Sequence, residues 1–210
     1  MGANDGIVST ASLVLGVAAS GAASSAIVTA GIAGLVAGAL SMAAGEYVSV
    51  SSQRDTELAD LRLEEWELRK DPEGERRELA RIYAGRGLPE DLATQVAAVL
   101  SEQDALAAHA RDELGFDEER RARPVQAAWT SALSFSVGAI LPVLAIGLPP
   151  AGARTATCVG VTLAALAMLG SLGAHLGGAR RARGAARVLV WGAAAMAITA
   201  GIGGLVGSAV

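Results

Sequence analysis

Four long stretches of this chain carry no Asp, Glu, Lys or Arg, and nothing else in the sequence limits its fold so firmly. They cover residues 6–45, 124–153, 155–179 and 188–210, which is 40, 30, 25 and 23 residues in turn. A helix needs roughly 20 apolar residues to cross the ~30 Å hydrocarbon core of a bilayer. The first stretch would be about 60 Å long as one helix, so it must fold into a hairpin of two spans. Each of the other stretches supplies one. Charged residues make up only 18% of the chain, where about 25% is usual for a soluble domain. An ordinary soluble enzyme, a disordered chain and a nucleic-acid-binding protein are excluded. The expected fold is an all-α membrane protein with five transmembrane helices near residues 6–19, 26–50, 124–148, 155–176 and 188–210.

The charges that remain are concentrated. Residues 53–123 hold 19 acidic and 12 basic side chains, whereas the rest of the chain has only Asp5, Glu46 and five arginines. The expected organisation is a transmembrane hairpin over 1–52, an acidic helical insert over 53–123, and three further spans over 124–210. The second span has no Gly or Pro to stop it between Ser51 and Lys70, so its helix continues into water. Asp71-Pro72 reads as an N-cap and first helical residue, and Gly85-Arg86-Gly87 as the end of that helix. Pro89 opens another, and Ser101 reads as the cap of a last one, with Asp104 as its partner. The insert and the Arg180, Arg181, Arg183, Arg187 link face one side, with Arg154 alone on the other. The positive-inside rule then puts the insert and the N-terminus in the cytoplasm and the C-terminus outside. A single Cys158 permits no internal disulfide. No basic region precedes the first apolar stretch, so that stretch does not read as a cleaved signal.

Ionisable groups inside a hydrophobic hairpin are costly and usually functional or paired. Asp5 and Glu46 sit at similar depth on antiparallel helices, and Met42 is one turn from Glu46 on the same face. Two carboxylates and a thioether make a mixed site that suits a transition metal better than Mg²⁺ or Ca²⁺. The bland alternatives are interfacial carboxylates and a packing methionine. In the insert, Glu64 and Glu67 share a helix face at i, i+3, and Glu75 and Glu78 repeat the spacing on the next helix. Such pairs chelate divalent ions in helical bundles; they are equally a solvated face paired with Arg62, Arg69, Arg76 and Arg77. His109 and His175 are too few and too far apart in the chain for a histidine site of their own. No catalytic triad, phosphate loop or closed zinc motif is present. Glycines at 34 and 38, at 170, 173 and 177, and at 203 and 207 follow the small-xxx-small pattern of closely packed helices.

Two segments carry a resemblance. Gly2-Ala-Asn-Asp-Gly-Ile-Val-Ser-Thr10 and Ala39-Leu-Ser-Met-Ala-Ala-Gly-Glu-Tyr-Val-Ser49 resemble the signature segments of the vacuolar iron transporter family, and the span order agrees over nearly the whole chain. The resemblance implies a homodimer in the lipid bilayer that exchanges Fe²⁺, and often Mn²⁺, for protons, with no prosthetic group and no enzymatic chemistry. It implies export from the cytosol, which for a bacterial-type chain means the plasma membrane. By position, Asp5 and Met42 match residues of the translocation path. Glu64, Glu67, Glu75 and Glu78 match four insert glutamates that bind metal, and Glu113 a fifth. His109 and Ala110 stand where plant members carry a methionine pair, so imidazole replaces sulfur there or soft ligation is lost. Gly34 stands where plant members carry a carboxylate, with Glu46 as the substitute. The chain opens on the first signature segment without the family's usual lead-in. The alternative functions are a membrane-anchored metal sensor or store, and an acidic interaction module without metal.

Overall fold

The computed structural model describes residues 2–116 and 122–209. The charged residues 117–121, expected at the end of the insert, and Val210, expected to close the last span, lie outside them. Within the described residues the chain is all-helical: α1 (Gly2–Ala19), α2 (Ser24–Lys70), α3 (Pro72–Gly85), α4 (Glu90–Asp112), α5 (Pro124–Gly147), α6 (Arg154–Leu176) and α7 (Arg181–Ala209). The turn between α1 and α2 falls between the two spans expected at 6–19 and 26–50, with Gly21 at φ 79 supplying the left-handed residue. As expected, α2 does not stop after its apolar part; it runs unbroken for 47 residues.

Among the described residues, four helical segments are long and apolar enough to cross a membrane: Ser24–Lys70, Pro124–Gly147, Ala151–Leu176 and Arg181–Ala209. The sequence expectation was five. The missing one is α1, which has only 18 residues and includes Asn4 and Asp5 in its first turn, so its hydropathy is lower. A second correction concerns α4. Its helical geometry breaks at Asp104 (φ −161, ψ 93), not at Ser101. Asp104 Oδ1 accepts a hydrogen bond from the Ala107 N–H at 3.0 Å, so the aspartate itself caps the following turn. A carboxylate is at least as good an N-cap as a hydroxyl and also suits the positive helix end. Asp71 behaves as read: its Oδ1 accepts from the Gly74 N–H at 2.9 Å, with Pro72 at the first helical position.

The chain forms two compact units, Met1–Glu46 with Val125–Val210, and Tyr47–Pro124. In the first, a core of Ala11, Val14, Leu15, Ile27, Ala145, Ile146, Cys158 and Met196 is built largely from small and aliphatic side chains. Helices approach closely because glycines let them. A Cβ on Gly203 would lie 1.9 Å from the Gly16 carbonyl oxygen, and one on Gly207 2.3 Å from that of Ser20. The second unit has a much smaller core, Leu79, Ala97 and Ala108 with Ala80, Tyr83 and Leu100 around it. Polar contacts therefore carry more of its organisation, and they converge on one place.

Candidate metal centre

Three helices of the Tyr47–Pro124 unit each place a ligand type side chain at that place. Glu64 comes from α2, Glu75 from α3 and His109 from α4, and one ligating atom from each lies within 4.8 Å of the others. Glu113, one turn beyond His109, completes the group. His109 Nδ1 stands 2.9 Å from Glu113 Oε2, 2.9 Å from Glu64 Oε1 and 4.0 Å from Glu75 Oε2. Nδ1 can carry a single proton, and Glu113 is the carboxylate with hydrogen-bond geometry toward it. Among the described residues, Glu64 Oε1 and His109 Nε2 are left buried without a hydrogen-bond partner. Glu64 is 3% exposed and His109 0%. Leaving a buried polar atom unpaired costs about 1–3 kcal/mol, more when charged. A divalent cation in place of the proton at Nδ1 would remove that cost for Glu64, because it accepts lone pairs from carboxylate oxygen and imidazole nitrogen together; Nε2 faces away from the carboxylates. Three carboxylates with one imidazole suit a first-row transition metal such as Fe²⁺ or Mn²⁺.

The electrostatics agree with a site built for positive charge. Burial raises the Glu64 carboxyl to about 7; His109 opposes the shift, while Glu113, Glu75 and Glu67 add to it. Glu75 is raised too, first by burial and then by the neighbouring Glu78. Glu67 and Glu78 are half-buried beside the cluster and act on it through their charge. Glu78 also lies 3.8 Å from the exposed Arg81. The structure thus brings Glu64, Glu75 and Glu113 together and sets Glu67 and Glu78 at the margin. His109 is the fourth member of the group; residue spacing alone does not single it out, although the family resemblance places its imidazole where plant members carry a methionine. The signal available was its i, i+4 spacing to Glu113 on one helix face.

A second polar junction lies beside the first. The nearly buried Asp112 accepts from Tyr83 Oη at 2.8 Å, Arg86 Nη1 at 2.6 Å and Arg111 Nη2 at 2.7 Å. Arg86 also donates to the Asp112 carbonyl at 2.8 Å. Burial works to raise the Asp112 carboxyl, but the bonds from Arg111, Arg86 and Tyr83 prevail and hold it at about 2. These contacts tie the end of α3 to the end of α4, next to Glu113 and one turn from His109.

The other unit holds the second set of expected residues. Asp5 and Met42 line one cleft of about 250 Å³, with Ser9, Thr10 and Ser41 as further polar groups. Gly34 and Gly38 form part of its wall; a Cβ on Gly38 would lie 2.2 Å from Phe135 Cζ. Glu46 is exposed and is not among the residues around the cleft. One carboxylate and one thioether therefore meet there, and the second expected carboxylate does not join them.

Residues 1–204 match the VIT family. A protein named vacuolar iron transporter from Acanthamoeba castellanii is 46% identical over 205 residues, 97% of this chain and 75% of its own. Vacuolar iron transporter homolog 5 of Oryza sativa subsp. japonica is 42% identical over 203 residues, 96% of this chain and 76% of its own. Vacuolar iron transporter homolog 2 of Arabidopsis thaliana is 37% identical over 208 residues, 99% and 82% respectively. These names overturn the plasma-membrane location expected from sequence. That expectation rested on the bacterial look of the chain, whereas relatives that align along almost all of it are named for the vacuole.

Proposed function

The chain belongs to the VIT family, and from that premise we propose that it carries Fe²⁺, with Mn²⁺ as a second substrate, across a membrane in exchange for protons. Its relatives are named as transporters, and no chemical conversion is involved. The observation that carries this reading is the Glu64–Glu75–His109–Glu113 cluster, in which the buried Glu64 Oε1 has no hydrogen-bond partner among the described residues. The cluster captures the ion on the cytosolic side, where the many basic residues of the insert and of the Arg180–Arg187 region belong. Glu67 and Glu78 raise the local concentration of cations. Asp5 and Met42 then take the ion across, and Glu46 stands at the end of the apolar part of α2 as an entry carboxylate. Carboxylates bind metal in their deprotonated form, so loading releases protons and unloading takes them up, which couples the two fluxes. The direction is out of the cytosol into a vacuole-like compartment, and the working form is a homodimer of five-span protomers.

Flux into sealed vesicles tests this directly. Purified protein reconstituted in liposomes should take up Fe²⁺ and dissipate an imposed pH gradient as it does so. Asp5→Asn should abolish uptake while the insert still binds metal. Uptake at the wild-type rate by Asp5→Asn would remove Asp5 from the path. Binding without any uptake by the wild-type protein would leave a membrane-anchored sensor or store instead.

A further inference from the structure

Thr10 lines the same cleft as Asp5 and Met42. It is 1% exposed, and its Oγ1 has no hydrogen-bond partner among the described residues. Hydroxyls on helices ordinarily bond back to the carbonyl one turn earlier. Within the same unit Ser9, Thr130, Ser136 and Thr199 all do so. Thr10 has the carbonyl of Gly6 at the corresponding position and does not use it. A buried hydroxyl without a partner is destabilising, and an apolar surrounding increases the penalty. Valine has the same branched shape without that penalty, so packing alone gives no reason for threonine here. Ser12 and Thr162 also lack partners, but neither borders the cleft, so the inference does not extend to them.

We propose that the Thr10 hydroxyl is an oxygen ligand to the ion at the Asp5–Met42 cleft and sets how that site ranks harder against softer divalent metals. This rests on the reading of the cleft as part of the ion's path. A neutral hydroxyl gives the ion a donor without adding charge, so the ion is held but can still leave. Oxygen is a hard donor and thioether sulfur a soft one. Thr10 and Met42 therefore pull selectivity in opposite directions, with Asp5 common to both metals. Removing the hydroxyl leaves the sulfur with more weight and favours Fe²⁺ over Mn²⁺; removing the sulfur does the reverse.

The test compares Thr10→Val, Thr10→Ser, Met42→Leu and Asp5→Asn in the full-length protein, with Fe²⁺ and Mn²⁺ uptake into liposomes and thermal stability in detergent as readouts. Thr10→Val should lose about tenfold in Mn²⁺ uptake and clearly less in Fe²⁺, the scale of one modest ligand contact. Its melting temperature should equal or exceed that of the wild type, because an unsatisfied hydroxyl has gone. Thr10→Ser should keep the wild-type ratio of the two metals, and Met42→Leu should raise the Mn²⁺ share. An unchanged metal ratio in Thr10→Val, with Asp5→Asn inactive, would overturn the Thr10 assignment alone. A lowered melting temperature with equal loss of both metals would make Thr10 a packing residue and overturn it as well. Full activity of Asp5→Asn would instead overturn the path reading and the Thr10 assignment with it.

Discussion

At Glu64 one side chain links folding to proton binding and, in the proposed function, to metal capture. Its carboxyl titrates near 4.5 in the unfolded chain and is held up to about 7 in the fold, chiefly by burial. Between those values the folded protein keeps a proton that the unfolded chain has lost. The stability linked to this group is therefore fully present below about pH 4.5 and is lost as pH rises through about 7. A metal ion needs the same carboxylate free of its proton, so metal affinity should rise with pH up to about 7 and then level off. Calorimetric titration of the whole protein with Mn²⁺ across this range checks the sign. Glu64→Gln should weaken binding at least about tenfold, near 1.4 kcal/mol, and flatten the pH dependence. Unaltered binding and slope would return Glu64 to a merely buried acid. The i, i+3 carboxylate pairs on two successive helices make Glu64 and Glu75 candidates in the sequence, although that spacing equally suits a solvated face. His109 could not be read from the residues alone, because a lone imidazole has no pattern until α2, α3 and α4 converge on it.

Among the elements, α3 and α4 show what local signals convey and what they leave out. Asp71-Pro72 and Gly85 through Pro89 mark real helix boundaries, since proline and glycine act through backbone terms that need no tertiary context. The cap at the α4 break was misplaced by three residues, because Ser101 and Asp104 are both good caps and only packing chooses between them. The Asp112 junction leaves no trace in a linear reading: its partners Tyr83 and Arg86 lie 29 and 26 residues away. It nevertheless holds the α4 turn that carries His109 and Glu113. Asp112→Asn keeps the size but removes the charge that three donors share. It should destabilise the protein by about 1–3 kcal/mol and weaken metal binding without touching a ligand. In the wild type the contribution of this carboxylate is present above pH 3.8 and lost as pH falls through about 2. Acid titration of helix content by circular dichroism, for wild type and variant, measures both effects; identical acid midpoints would show that the junction adds nothing.

For the whole molecule, the decisive quantity is the number of crossings. Apolar length alone reveals α2, α5, α6 and α7, because a bilayer sets one threshold that each of these helices passes. α1 falls short, yet it is not a surface helix: Ile7, Ala11, Val14 and Leu15 are buried, and Gly16 meets Gly203 of α7 at a distance that excludes any side chain. A helix so closely packed against a spanning helix can cross with fewer apolar residues, since its polar first turn lies at one end of the segment and need not enter the hydrocarbon centre. The two counts differ in a way that labelling resolves. With α1 crossing, the N-terminus and the insert share a side; without it they lie on opposite sides. Three crossings after the insert put the C-terminus opposite to it in either case. In a Cys158→Ala background, a cysteine added ahead of Met1 and one at Glu90 should therefore react with a membrane-impermeant maleimide from the cytosolic side, and one at Ser208 from the other. An N-terminal cysteine opposite to the Glu90 position would reduce the protein to four spans. A Ser208 cysteine on the same side as the Glu90 position would remove one of the crossings assigned to α5, α6 and α7.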